Sequence, residues 1–269
     1  MRITSWNLLH AEAIPPDKAA DNGALLRAQI ARLQSDLIGL QEIDYFLARS
    51  GTHNQVGNIA TMMGAAHWAF APSLMGSPDD DWRNPTVSDE KLITENSKVA
   101  PPAYGIGIAS KIPVLSWHRL DLRRSPIGVL MAFPVDGKMK SFYVRDHPRS
   151  ALAAHLDNGW LVINTHLSFV PFFNLAQLIK IKRWSKTLGV SDKSKILIMG
   201  DLNIPFAIFA RGFTWRSLAA LRTFPSWYPK VQIDYFLSQG LSAKDVRNIV
   251  FPHAGISDHL PLQIDIDVN

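Results

Sequence analysis

Polar side chains with metal-binding or proton-transfer chemistry recur beside short apolar runs of this sequence. Each adjoins a segment such as ITSW, LIGL, WLVI or ILIMG, which is typical of a buried strand, mostly at its carboxyl end. Burying such a group without a partner costs several kcal/mol. The sequence therefore predicts that these groups converge on a polar cleft. They are Asn7, Gln41, Glu42, Asn164, His166, Asp201, Asn203, Asp234, Ser257, Asp258 and His259.

The residue types in this set fit one kind of chemistry. Glu42, Asp201 and Asp258 carry hard oxygen donors, which suit Mg²⁺ or Mn²⁺. His166 and His259 can donate to a phosphate oxygen or move a proton. The chain has no cysteine, so a zinc–cysteine site is excluded. The combination favours metal-assisted hydrolysis of a phosphoester.

Two further members have supporting roles in this interpretation. Asp234 can hold an imidazole in one tautomer, as carboxylates behind catalytic groups do. Ser257 is disfavoured as a nucleophile, because its neighbours suit a metal site and no G-x-S-x-G sequence is present. We expect the Ser257 hydroxyl to support a turn or a neighbouring carboxylate.

Length and composition narrow the classes of protein further. The 269 residues, 47% of them hydrophobic and 19% charged, are typical of a globular chain with a sizeable core. No run approaches the ~20 apolar residues of a membrane span, and the start does not resemble a signal peptide. We expect a cytoplasmic monomer. The net charge of +5 permits an anionic partner without requiring one.

Hydrophobic periodicity places these residues on alternating strands and helices. One α/β domain over residues 1–269 is expected, with two sheets and helices outside them. A doubly wound parallel fold is disfavoured, because neither G-x-G-x-x-G nor a Walker A sequence is present. Strands are predicted over 2–9, 37–43, 67–75, 104–112, 115–122, 128–135, 149–156, 159–167, 195–202, 232–238 and 261–268, with a weaker strand over 245–251. Helices are predicted over 18–34, 54–64 and 173–188. A hairpin turn is expected at 157–159, and a long loop over 76–103.

The set SWN, LQE, NTHL, GDLN, IDYF and SDH, in this order, closely resembles the endonuclease/exonuclease/phosphatase superfamily. The segments YGIGIASK and TFPSWYPKVQIDYF resemble its bacterial members. Each motif alone is weak, but six in the right order are specific, and they run from Asn7 to His259. The resemblance implies a four-layer α/β/β/α sandwich of two mixed β-sheets flanked by helices, with the site at one edge.

The resemblance also implies individual roles. Glu42 would be the principal metal ligand, with Asn7 and Asp258 near the metal or phosphate. Asp201 would orient or deprotonate the attacking water, helped by Asn203.

His259, oriented by Asp234, would contact the phosphate, and His166 would lie on its other side. Arg149 occupies a position where deoxyribonuclease-like members carry a phosphate-contacting arginine. The implied substrate-binding residues are Asn7, Arg149, His166 and Asn203, and the implied cofactor is Mg²⁺ or Mn²⁺.

The segments around the motifs bear on the substrate. Ten aromatic residues lie on three loops that would border the cleft, and we expect more than half of them to pack inward. Exposed ones could stack on bases or enter a membrane interface. They are Phe169, Phe172, Phe173, Phe206, Phe209, Phe213, Trp215, Phe224, Trp227 and Tyr228. The sequence does not identify a basic set near the site for additional phosphates. The basic clusters are Arg119, Arg123 and Arg124; Lys138, Lys140 and Arg145; and Lys180, Lys182, Arg183 and Lys186, the last of which is typical of a solvated helix face.

The first hypothesis is therefore a divalent-metal-dependent phosphodiester hydrolase with nuclease-like activity, acting on nucleic acid. The second is a phospholipid or phosphoinositide hydrolase whose aromatic rim contacts a membrane. A non-catalytic binding member of the superfamily is disfavoured, because all the expected catalytic residues are present.

Overall fold

The computed structural model describes residues 1–17, 19–86, 88–89, 91–135 and 138–267. It contains two large sheets, one isolated hairpin and four α-helices. The helices are α1 (Asn22–Leu33), α2 (Gln55–Met63), α3 (Phe173–Trp184) and α4 (Ala207–Arg211). The strands are β1 (Arg2–Asn7), β2 (Leu37–Tyr45), β3 (His67–Gly76), β4 (Trp82–Arg83), β5 (Ile93–Thr94), β6 (Ala103–Ser110), β7 (Val114–Leu122), β8 (Val129–Val135), β9 (Lys138–Val144), β10 (Arg149–Leu156), β11 (Leu161–His166), β12 (Ile196–Asp201), β13 (Arg216–Ser217), β14 (Asp234–Ser238), β15 (Val246–Ile249) and β16 (Leu262–Ile266).

Both large sheets mix parallel and antiparallel pairs. The first sheet has the order β15-β16-β1-β2-β6-β3-β4, with β5 paired to β3. The second has the order β13-β14-β12-β11-β10-β7. In each sheet one central pair is parallel, namely β1 with β2 and β11 with β12. Their carboxyl ends therefore meet at one edge of the sandwich.

Successive side chains of a strand point to opposite faces of its sheet, and this divides the apolar side chains among three hydrophobic layers. In β2, Leu37 faces the layer between the sheets, whereas Ile38 faces the outer layer beneath α1 and α2. In β12, Leu197 faces inward and Ile198 faces the layer beneath α3. Each sheet thus buries both faces, as the period of two requires. The result is the predicted four-layer α/β/β/α sandwich.

A polar contact joins the two sheets within this apolar interior. Nε2 of Gln41 donates to Oδ1 of Asn164 at 2.6 Å, and both side chains are fully buried. Nδ2 of Asn164 donates to the carbonyl oxygens of Leu40 and Gly107, each at 2.9 Å. Gln41 and Asn164, predicted to enter the polar cleft, instead link the sheets.

Most predicted strands are present, and the Asp157–Gly159 turn joins β10 to β11 as an antiparallel hairpin. Some boundaries of helices and strands differ from the predicted ones. Helix α1 begins at Asn22, because Asp21 caps it by accepting from the backbone N–H of Ala24. The predicted start of that helix at residue 18, and residue 268 of the last predicted strand, lie outside the described residues.

The predicted strand over 128–135 is present as β8. It lies outside the two large sheets and pairs with β9, a strand that the sequence did not suggest. The predicted loop over 76–103 contains the short strands β4 and β5, both paired to β3. No helix in the described part of the chain is long and apolar enough to cross a membrane.

Candidate active site

The strand ends bring the candidate catalytic residues to one edge of the sandwich. Asn7, His166 and Asp201 are the last residues of β1, β11 and β12. His166 pairs in register with Asp201, and Asp201 pairs with Asp234. Asp234 is the first residue of β14, which begins two residues later than the strand predicted over 232–238. Because β14 runs antiparallel to β12, its beginning reaches the same edge.

Glu42 reaches this edge by a different route. Strand β2 continues to Tyr45, so Glu42 lies within the strand and not at its end. The pairing of β2 with β6 shifts register between Leu40 and Ile43, and Glu42 has a φ of 52°. A bulge with a left-handed residue breaks the alternation of the strand. The bulge turns the Glu42 side chain into the cleft, at the energetic cost of a strained backbone.

Gly200 explains why a glycine precedes Asp201. Its φ is 143°, and a Cβ atom added there would lie 1.8 Å from the carbonyl oxygen of Thr165. Any other residue would force β11 and β12 apart. The glycine of GDLN therefore sets the close approach that aligns His166 with Asp201.

An asparagine connects the carboxylates of the two sheets. Nδ2 of Asn7 donates to Oε1 of Glu42 at 2.9 Å and to Oδ2 of Asp201 at 3.0 Å. Oδ1 of Asn7 accepts from the backbone N–H of Leu9 at 3.2 Å. The Asn7 amide thus holds two carboxylates next to one another, although they come from different sheets.

His259 lies between two buried carboxylates. Its Nδ1 is 2.8 Å from Oδ2 of Asp234, and its Nε2 is 3.7 Å from Oδ2 of Asp201. Burial disfavours the charged ring, but the carboxylate of Asp234 and then that of Asp201 outweigh it and raise the pKa of His259 to about 10. His259 is therefore an imidazolium at neutral pH, with Nδ1–H donating to Asp234.

His166 has the opposite character. Burial, and then the positive charge of Arg149, lower its pKa well below the ordinary value. The ring is therefore neutral. Nδ2 of Asn203 lies 3.2 Å from Nε2 of His166, so Nε2 is the acceptor and Nδ1 carries the proton. The two histidines of the site thus differ in charge.

Asp201 is a buried carboxyl group with a raised pKa. Burial raises its pKa to about 7, while the charge of His259 and hydrogen bonds from Asn203 and Asn7 act in the opposite direction. The backbone N–H of Asn203 donates to Oδ1 at 2.9 Å. A carboxyl group with a pKa near neutrality is suited to accept a proton from water.

Two groups of residues offer oxygen or nitrogen ligands to a cation. Ligand atoms of Asp201, Asp234 and His259 lie within 4.8 Å of one another. Oδ2 of Asp234 already accepts from His259 and from the hydroxyl of Thr223, whereas its Oδ1 is buried without a hydrogen-bond partner.

The second group is formed by Glu42 and Asp258, which are only half-buried. Burial raises the pKa of Asp258, and although the charge of His259 lowers it, the carboxylate of Glu42 raises it again. Two carboxylates that repel one another in a cleft fit a hard divalent cation such as Mg²⁺ or Mn²⁺.

Arg149 begins β10 and lies beside His166 in the same sheet edge. It is only 3% exposed. Its Nη2 is 3.6 Å from Oδ1 of Asp146, while Nε and Nη1 are buried without a hydrogen-bond partner. A buried guanidinium with two unused donors is poised for an anionic ligand.

Several residues that support the site were not identified from the sequence. The Thr223 hydroxyl donates to Asp234, Nδ2 of Asn174 donates to the carbonyl oxygen of Asn203 at 2.8 Å, and Asp146 faces Arg149. None adjoins an apolar run that ends in a catalytic motif, so the strand-end pattern could not reveal them. Ser257 is fully buried, and its hydroxyl donates to the carbonyl oxygen of Asn7 at 2.7 Å. The hydroxyl also accepts from the backbone N–H of His259 at 3.0 Å, so it supports the local turn, as expected.

The aromatic loops beside the site are more exposed than expected. Six of the ten residues are exposed, among them Phe172 at 81% and Phe213, which is fully exposed. The prediction that more than half pack inward is therefore wrong. The six are Phe172, Phe206, Phe209, Phe213, Trp227 and Tyr228.

Comparison with solved structures supports the same architecture. A mannosyl-6-phosphatase of Bacteroides thetaiotaomicron superposes with a TM-score of 0.61 at 15% identity, covering 100% of both chains. The human nocturnin catalytic domain with a bound sulfate anion gives 0.56 at 17% identity over 99% of this chain and 94% of that one. The Neisseria 3′ phosphatase NExo, bound to a product DNA hairpin, gives 0.54 at 17% identity over 100% of both. These identities support the fold alone.

Sequence comparison extends the likeness to the family. A search of curated proteins gives no significant match. The sequence profile described as the Endonuclease/Exonuclease/phosphatase family matches residues 4–259. This range includes the motifs from SWN to SDH and nearly the whole chain. The protein therefore belongs to the endonuclease/exonuclease/phosphatase family.

Proposed function

We propose that the protein is a divalent-metal-dependent phosphodiester hydrolase in which an activated water attacks the phosphate directly. The observation that carries this proposal is the position of His259 between Asp234 and Asp201. An imidazolium and a carboxylate that face one another across 3.7 Å can stabilise a phosphate and deprotonate a water at the same point.

Each side chain has a distinct role in this proposal. Asp201 holds the water in line and accepts its proton, and Asn203 fixes the carboxylate through its backbone N–H. His259 donates from Nε2 to a phosphate oxygen, because Nδ1 is engaged by Asp234. His166 would lie on the other side of the phosphate, because its Nε2 faces the site at 3.6 Å from Oδ2 of Asp201. Holding the water in place converts its attack into a nearly unimolecular step.

Glu42 and Asp258 would hold a Mg²⁺ or Mn²⁺ ion, with Asn7 beside it. The ion would supply charge neutralisation of the phosphate when bound. Asn7 keeps Glu42 next to Asp201. Arg149 would use its unpartnered Nε and Nη1 donors on the substrate phosphate.

A nucleic-acid strand is the substrate we favour. Among the structures that share the fold, the Neisseria 3′ phosphatase holds a product DNA hairpin, whereas the Bacteroides protein is a mannosyl-6-phosphatase. Exposed aromatic rings beside a phosphodiester site can stack on bases.

The test is hydrolysis of single-stranded DNA, plasmid DNA and RNA with and without Mg²⁺ or Mn²⁺, with Glu42→Ala as background. Metal-dependent cleavage that Glu42→Ala lacks is expected; intact polymers in every reaction would contradict the proposal.

A phospholipid substrate is the second candidate, and one observation favours it. Phe206, Ile208, Phe209 and Phe213 are all exposed on the loop and helix that follow Asn203. Apolar rings and aliphatic chains of this kind enter a membrane interface. Phosphatidylinositol and sphingomyelin vesicles, incubated in parallel with the DNA, distinguish the candidates. Headgroup release with intact DNA would assign the enzyme to lipids.

A further inference from the structure

A basic cavity opens beside the candidate active site, at the same edge of the second sheet. Its volume is about 760 Å³. Among the described residues, six basic side chains and one carboxylate, Asp121, line it. The basic residues are Lys91, Arg119, Arg123, Arg124, Arg149 and Lys180. They come from four separate segments of the sequence, so only the fold brings them together.

The cavity and the catalytic residues share one row of strand ends. In the order β12-β11-β10-β7, the residues at this edge are Asp201, His166, Arg149 and Leu122. Adjacent strands lie roughly 4.8 Å apart, so the end of β7 is roughly 14 Å from Asp201. Arg149 lies between the two and belongs to both. An extended anionic ligand could therefore pass from one to the other.

Part of the basic set builds the wall of the cavity. Nε of Arg119 lies 2.7 Å from Asp121, and its Nη atoms donate to the carbonyl oxygens of Pro72 and Lys91. Nζ of Lys180 donates to the carbonyl oxygen of Asp121 at 2.8 Å. Arg119 thus joins β7 to β3 and to Lys91. Of the described residues between β3 and β6, Asn84, Pro85 and Lys91 line the cavity.

The other three basic side chains that line the cavity, Arg123, Arg124 and Arg149, remain able to bind an anion. Arg123 and Arg124 are exposed, and the guanidinium of Arg124 lies 5.6 Å above the ring of Trp82. Arg149 is buried, with Nε and Nη1 unpartnered. Guanidinium groups bind phosphates through paired, charge-assisted hydrogen bonds. Asp121 is neutralised by Arg119 and Lys91, so it does not offset this charge.

We propose that this basic cavity binds a second phosphate of a nucleic-acid strand whose scissile phosphate lies at Asp201 and His259. The inference rests on the proposed function. A separation of roughly 14 Å corresponds to about two nucleotides of a strand, because consecutive phosphates lie roughly 7 Å apart once the rotation of the strand is added to its 3.4 Å rise. The cavity would then favour substrates that extend at least two nucleotides from the cleavage point.

The test compares two variants that remove the same charge. Arg123→Gln/Arg124→Gln changes the cavity, whereas Lys186→Gln/Lys193→Gln removes two exposed charges that do not line it. Binding of a fluorescent single-stranded octadeoxynucleotide is measured by anisotropy in EDTA, so that the readout does not depend on turnover. Cleavage of the octanucleotide and of a dinucleotide is then measured with Mg²⁺.

We expect the cavity variant to bind the octanucleotide about 10- to 100-fold more weakly, as the loss of two charge-assisted contacts implies. The slope of log affinity against log salt should fall by about 1.4. Dinucleotide cleavage should be unchanged, and the control variant should bind within about twofold of the wild type.

Equal binding losses in the two variants, or none in either, would overturn the proposal. So would loss of binding to phosphoinositide vesicles with octanucleotide affinity retained, which would assign the cavity to a lipid headgroup. If the wild type binds the octanucleotide through this cavity but cleaves no phosphodiester, the proposed function fails while the anion site stands.

Discussion

Nδ1 of His259 lies 2.8 Å from Oδ2 of Asp234, and both side chains are buried. This contact fixes the ring so that Nε2 faces Asp201. It also holds the pKa of His259 at about 10, against the effect of burial. The Asp234 carboxylate therefore determines both the direction and the charge of the ring that faces the proposed reaction.

Replacing Asp234 should expose this dependence in the pH profile. In Asp234→Asn the pKa of His259 should fall toward the ordinary value of about 6.5. The imidazolium, retained up to about pH 10 in the wild type, would then be lost through neutrality. At pH 8 we expect kcat to fall by about 30-fold, with a much smaller loss at pH 6.

Thr223→Val, which removes a hydrogen bond to Asp234 but keeps the charge, is the control and should retain the wild-type basic limb. An unchanged basic limb in Asp234→Asn would contradict this role.

The acidic limb of the same profile should report Asp201. Its pKa is raised to about 7, chiefly by burial, so the wild-type rate should rise with pH through about 7 as the carboxylate forms. Asp201→Asn should lower kcat by about 10²- to 10⁴-fold, the usual contribution of a general base. Urea unfolding provides the control for the fold. Turnover within a few-fold of the wild type would remove Asp201 from the mechanism.

Metal dependence should be separable from folding. Mg²⁺ at 100 times its dissociation constant should stabilise the wild type by about 2.7 kcal/mol. Calorimetry should detect this as a rise in Tm that Glu42→Gln lacks. Chelation should abolish hydrolysis. Glu42→Ala and His259→Ala should also lose activity while still unfolding cooperatively. Equal Mg²⁺ stabilisation of Glu42→Gln and the wild type would exclude Glu42 as the principal ligand.

The hydrogen bonds between the sheets should contribute measurably to stability. Asn164→Ala removes the acceptor of Gln41 and the donor to the Leu40 and Gly107 carbonyls, all buried. Leaving such groups unpaired should lower the free energy of unfolding by about 2–4 kcal/mol. Urea denaturation measures this change, with the exposed Asn96→Ala as the matched control. A loss below about 0.5 kcal/mol would indicate that the contact between the sheets contributes little to stability.

The sequence predicts the strand ends of the site well, because apolar alternation and a terminal polar residue are local signals. Asn7, His166 and Asp201 are the last residues of their strands, as expected. The bulge at Glu42 could not be predicted, since it exists only in the pairing of β2 with β6. The same holds for Gln41 and Asn164, whose partners lie across the sandwich.

Other features escaped sequence analysis because they depend on residues distant along the chain. The basic residues of 119–124 lie far in sequence from Arg149 and Lys180, yet all line one cavity. Strand β9, KMKSFYV, lacks a continuous apolar run and forms only a hairpin with β8. The aromatic loops follow no period, so their exposure could be established only from the structure.

The proposed catalytic centre is divided between the two sheets. Asn7 and Glu42 belong to the first, and Asp201 and Asp234 to the second. A bound phosphate would therefore act as a non-covalent crosslink across the seam of the sandwich. Substrate binding would resist sliding of one sheet over the other. Conversely, a small sliding of one sheet over the other would abolish the proposed hydrolysis, although each sheet would keep its own hydrogen bonds.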